Sequence, residues 1–137
     1  MKKRYEKPAN KIYYWNKNEE FMLSKLDTNR MEQELKQQGF YGKALIKAKK
    51  EYVLRVIAGE NVLVPVGQGI ADFSGIIYIN ETAAFLWKQL QNGVTQEQIE
   101  QSLIDKFNIS SQRAQEDVLN FLKTVTIHNM LEVQDGT

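Results

Sequence analysis

The sequence predicts an α+β fold, with a three-stranded antiparallel sheet followed by three helices in a winged helix-turn-helix-like arrangement. Three observations carry this reading. β-branched and aromatic runs cluster between residues 52 and 79, apolar residues recur at helical spacing from residue 81 onward, and the helices open on polar capping residues. The remaining N-terminal residues form a basic, partly helical extension. The division expected is an extension over residues 1–48, with a helix over 19–38, and a body over residues 49–137.

The extension comes first. Residues 1–17 set Tyr5, Tyr13, Tyr14 and Trp15 among lysines and asparagines, with Pro8 as a breaker, which reads as an arm or a short edge strand. Over 19–38, Leu23, Leu26, Met31 and Leu35 approximate one helical face, and Gly39 supplies a C-cap. The stripe is sparse, so such a helix needs a surface to lean on. Residues 40–50 link it to the body.

In the body, residues 52–57 read as a strand, residues 58–61 as a turn and residues 62–66 as a second strand, together a hairpin. Pro65 cannot donate to a ladder, so it marks an edge or a strand end. A loop over 67–74 leads to a third strand, Gly75 to Ile79. Asn80 then caps a helix from Glu81, with Ala83, Leu86, Trp87 and Leu90 on one face. Thr95 and Gln98 have the spacing of a capping box and open the second helix. The third begins at Ser110 or Ser111 and buries Ala114, Val118, Phe121, Leu122 and Val125. Residues 131–133 read as a tail with strand character.

The inventory for catalysis is thin. The chain has no cysteine, which removes disulfides, thiolate metal sites and cysteine nucleophiles. Its one histidine, His128, falls near the end of the third helix, where an imidazole caps rather than catalyses. No zinc-protease, nucleophile-elbow, phosphate-loop or dinucleotide motif is present. The expectation is therefore no enzyme, no cofactor and no metal. No stretch approaches the ~18 apolar residues of a membrane span, and the basic N-terminus lacks the apolar run of a signal peptide, so a cytoplasmic location without membrane contact is expected.

Net charge is +1, but its distribution is uneven. Residues 1–55 hold 14 Lys/Arg against 7 Asp/Glu, whereas residues 56–137 hold 4 against 10. The turn between the second and third helices raises a winged-helix DNA-binding regulator as an alternative. The helix that would enter a groove carries Arg113 and Lys123 against Glu116 and Asp117, on an acidic body. That is a poor footprint for phosphates, and no nucleic-acid partner is expected. The strand edge is the better candidate. The third strand is short, β-branched and free of gatekeeper Lys or Pro, and such an edge is either covered or used.

Four segments also carry a resemblance: YVLRVIAGENVLVPVG, a strand ending in INET, AFLW, and AQEDVLNFL, in this order across about residues 49–133. They resemble the PqqD-like family, the recognition element for precursors of ribosomally made, post-translationally modified peptides (RiPPs). The resemblance implies a non-catalytic peptide chaperone. It would bind the precursor's leader as an added strand on the third strand, with the third helix as the other wall. It would present the leader to a radical S-adenosylmethionine enzyme or a leader peptidase. Carried over, the peptide-binding residues are Gly75, Ile76, Ile77, Tyr78, Ile79, Arg113, Asp117, Asn120 and Phe121. Arg113 would pair with an acidic leader residue and Phe121 would line a pocket. Whether Ile76 and Tyr78 or Ile77 and Ile79 face the groove is open, because a one-residue register change swaps them. The extension lies outside the resemblance. Three expectations stand for it: packing on the body through opposite charge, contact with the modifying enzyme, and an internal leader mimic on the edge, for instance through FMLSKL. Open edges also pair between identical chains, which leaves room for a homodimer.

Overall fold

The computed structural model describes residues 5–8, 13–15, 20–22, 44–67, 75–126 and 130–134. The body follows the predicted order. Strand β4 (Tyr52–Ile57) turns into β5 (Glu60–Pro65), and β5 pairs antiparallel with β6 (Ile76–Ile79). Helices α1 (Glu81–Leu90), α2 (Gln96–Phe107) and α3 (Ser111–Thr126) follow. The hairpin turn is tighter than the four residues expected. Ala58 and Gly59 alone form it, at φ +51° and +80°, the two left-handed residues of a type I′ turn. Pro65 pairs with Tyr52, beyond the Asn61–Leu63 segment that meets β6, so it sits where no donor is asked of it on that side.

The caps are where the sequence places them. Asn80 Oδ1 accepts from the Ala83 amide at 2.8 Å. Thr95 and Gln98 close a reciprocal capping box, at 3.1 Å for Gln98 N to Thr95 Oγ1 and 3.0 Å for Thr95 N to Gln98 Oε1. Asn108 ends α2 in the left-handed region at φ +55°, and Ser110 Oγ takes the Arg113 amide at 3.1 Å. Each device satisfies backbone groups that the helix cannot satisfy itself.

The three helices cover one face of the sheet. Leu63, Ile77, Leu86, Trp87, Leu90, Val118 and Phe121 are fully buried in a single cluster. Ile77 and Ile79 belong to this cluster, while Ile76 and Tyr78 on the opposite face are half-buried. The open question of register is thus decided: Ile77 and Ile79 point to the helices and pack as core.

Two features go beyond the sequence reading, and a third fills it in. First, among the described residues β1 (Tyr13–Trp15) and β2 (Glu20–Met22) extend the predicted three strands, in the order β2-β1-β6-β5-β4. Strand β1 lies antiparallel on β6, and β2 pairs with β1. Residues 20–22 were expected to begin a helix. Pairing with β1 supplies their backbone with a ladder instead, and tertiary pairing overrides a weak helical stripe. The rest of the expected helix lies outside the described residues. Second, β3 (Leu45–Ala48) pairs antiparallel with β7 (Leu131–Gln134). It sends Ile46 and Ala48 into the core, and Ile46 exchanges backbone hydrogen bonds with Val94 at 2.7 and 3.0 Å. Residues assigned to the extension and link thus complete the body. Third, β7 gives the expected tail a ladder. His128 and most of the 67–74 loop lie outside the described residues.

Candidate functional site

Two elements carry the candidate residues: β6, whose Gly75 to Ile79 lead to Asn80, and α3, which presents Arg113, Asp117 and Asn120 on successive turns. Asp117 is 4% exposed, against 50% for the Arg113 side chain. Their separation, 3.7 Å from Arg113 Nε to Asp117 Oδ2 at i,i+4 spacing, makes a partly buried ion pair on the groove wall. Asn120 is exposed. Phe121 is fully buried in the core cluster, so its ring packs the body. Of the nine residues carried over, the strand supplies backbone, Arg113 and Asp117 form a charged wall, and Phe121 stands behind it.

Residues 5–8 of the same chain bridge α3 and the end of β6, along the candidate groove. The Tyr5 hydroxyl donates to Asp117 Oδ2. The Arg113 guanidinium carbon lies 4.8 Å from the centre of the Tyr5 ring, within cation–π range. The Tyr5 ring also packs against Phe107 at 5.1 Å between centroids. Phe107 in turn meets Phe85 edge-on at 5.9 Å, the orientation favoured by opposed ring quadrupoles, and Lys106 Nζ lies 5.4 Å from the Phe85 ring centre. Burial and the bond to the Asp117 carboxylate push the Tyr5 phenol far above its ordinary range, with the Arg113 charge acting in the opposite direction. Two residues on, the Lys7 carbonyl accepts from Asn80 Nδ2 at 2.7 Å, and Pro8 is buried. The chain then reaches β1, where Tyr13, Tyr14 and Trp15 sit opposite Tyr78, Ile77 and Ile76.

Four participants escaped the sequence reading. Phe85 and Phe107 read as helix-face core, Asn80 reads only as a cap, and Tyr5 sits over a hundred residues from its partner. The capping role of Asn80 is legible because it is local. Its second bond is not, since it joins residues 73 apart. FMLSKL is not the segment found against β6. Phe21 and Met22 lie one strand further out, and β1 takes the edge.

The architecture defines an α+β winged helix-turn-helix-like domain. Residues 60–131 match the family model described as coenzyme PQQ synthesis protein D (PqqD), and the chain belongs to the PqqD family. The family consists of non-catalytic, chaperone-like accessory proteins that bind precursor peptides in RiPP biosynthesis. No curated protein and no solved structure matches the chain. Among the described residues, no helix is long and apolar enough to cross a membrane.

Proposed function

We propose that this protein captures the leader of a ribosomally made precursor peptide by strand addition at β6, against α3, and presents it to a separate modifying or processing enzyme. A radical S-adenosylmethionine enzyme and a leader peptidase are the two enzyme classes that fit. The observation that carries the reading is the antiparallel pairing of an extended segment, Tyr13–Trp15, on Ile76–Tyr78. The edge can accept a strand from outside the body, and the Arg113–Asp117 pair, which Tyr5 of the same segment already engages, supplies charge to read side chains. Main-chain bonds give such a site affinity, and pockets give it specificity. The DNA-binding alternative gains little, because Arg113 is engaged with Asp117 and Tyr5 and Lys123 is buried.

The test is titration of the precursor peptide encoded beside this protein's gene, by fluorescence anisotropy. Saturable binding is expected, and weaker binding to Ile77→Pro or to Tyr78→Pro, whichever removes an outward-pointing amide. A precursor that fails to bind, or both folded Pro variants binding like the wild type, overturns strand addition. Salt-sensitive duplex binding in its place would favour the regulator.

A further inference from the structure

The groove proposed for a leader is occupied, and its occupant belongs to this chain. We infer that residues 5–8 and 13–15 act as a built-in competitor for the peptide site, anchored by Tyr5 on the Arg113–Asp117 pair and by β1 on the edge of β6, so that an external peptide binds by displacing them. This rests on the reading of the site given above.

Three separate contacts hold the segment, one at each end and one between. At the first, the Tyr5 hydroxyl engages a carboxylate that is almost wholly buried. A charge-assisted bond of this kind is among the stronger polar contacts. The Tyr5 ring also packs on Phe107, which in turn meets Phe85. Between the ends, Asn80 donates to the Lys7 carbonyl while its oxygen stays on the Ala83 amide. At the second end, Tyr13–Trp15 takes the strand position itself. Charge adds a general attraction, since the first 55 residues carry a clear cationic excess and the remainder an anionic one. Strand β2 then covers the outer side of β1, so a second peptide cannot simply add beyond β6 while the segment is docked. Displacement is the one route to the β6 edge.

A competitor in the same chain lowers the apparent affinity of an external peptide by the fraction of molecules in which it has left the groove. Loosening it therefore tightens external binding without any change to the groove. The probe is a fluorescent synthetic peptide of residues 1–22, titrated against the full-length chain. Tyr5→Ala and Tyr14→Pro alter only the built-in segment and are expected to bind the probe roughly ten- to a hundredfold more tightly than the wild type, the gain for a segment docked in about 90–99% of molecules. Asp117→Ala, made in the Tyr5→Ala chain, removes the anchor from the groove and is expected to cancel most of the gain. Equal affinity for the wild type and both segment variants overturns the inference, as does a probe that binds none of them. A wild-type affinity that falls as protein concentration rises also overturns it, because exchange of the segment between copies would then be the cause.

The precursor peptide, run in parallel, separates this inference from the proposed function. If the precursor binds the wild type and the variants alike, the site reading stands and self-occupancy fails. If the chain's own segment competes but the precursor does not bind, self-occupancy stands and the leader reading fails.

Discussion

At the scale of single residues, the structure separates side chains that hold the fold from those that hold the occupant. Phe121 and Asn120 are neighbours on α3 with opposite fates. Phe121 is fully buried and Asn120 is exposed. Phe121→Ala is expected to cost about 3–5 kcal/mol of stability in denaturant unfolding, and Asn120→Ala no more than about 0.5 kcal/mol. Ala58 occupies the first left-handed position of a type I′ turn at φ +51°, a conformation that disfavours Cβ-bearing residues but tolerates asparagine. Ala58→Asn is expected to raise stability by about 1 kcal/mol in the same assay. Tyr5 makes docking depend on pH with a definite sign. Its phenol is raised in the docked state by burial and the Asp117 carboxylate, against the lowering effect of Arg113. The neutral phenol is thus the docked form. Its contribution is complete below the free tyrosine value near ~10 and is lost as pH climbs from there through the raised value. Docking, followed through the Asn80 carboxamide signals by NMR, should be unaffected by Tyr5 up to about pH 9 and weaken above about pH 10. Tyr5→Phe, which lacks the titrating proton, should abolish that alkaline limb.

Elements differ in how far the sequence discloses them. The hairpin strands, β6, the Asn80 cap and the Thr95–Gln98 box rest on signals contained within a few residues, and the sequence displays them. Strands β1, β2, β3 and β7 run three or four residues each. Such short strands have no stability of their own, and their pairing partners are not legible from local pattern: strand character shows at β1 and β7, but nothing there says what they pair with, and β2 and β3 are not announced at all. The candidate site divides the same way. Gly75 to Ile79 are visible as an unguarded strand, Arg113 and Asp117 enter only through family resemblance, and the anchor Tyr5 belongs to a segment that the resemblance does not cover. Asn80 joins the two kinds of information, and its two roles can be pulled apart. Asp at this position remains a good N-cap, but it faces the Lys7 carbonyl with an acceptor where a donor was. Asn80→Asp should leave thermal stability within about 0.5 kcal/mol and release the built-in segment. Asn80→Ala should release it too and lose a further 0.5–2 kcal/mol or so of capping.

For the molecule as a whole, the two-stranded β3–β7 sheet ties the chain entering the body to the chain leaving it. Ile46 and Leu131, on opposite strands, both enter the core, and Ile46 also bonds to the Val94 backbone that precedes α2. Ending the chain after Met130 removes β7 and leaves β3 with an unpaired, half-buried backbone. The expected result is a large loss of stability, several kcal/mol by analogy with the removal of buried apolar side chains, seen as a lowered denaturant midpoint. The same truncation leaves Tyr5, Asn80, Arg113 and Asp117 intact. Damage to peptide binding in that variant should therefore track unfolding rather than any loss of groove chemistry.

The direction of β1 carries a consequence for where an enzyme must stand. The segment enters at α3, passes Asn80 with Lys7, and then runs antiparallel to β6 until Trp15 reaches Ile76. A leader held in that polarity has its N-terminus at the helical end of the groove and points its C-terminal side past Gly75. The part of a precursor that is chemically altered follows its leader, so it emerges there, at the end of β6 away from Asn80. A photo-crosslinker placed at Gly75 should mark the modifying enzyme, while one placed at Arg113 should mark only the leader.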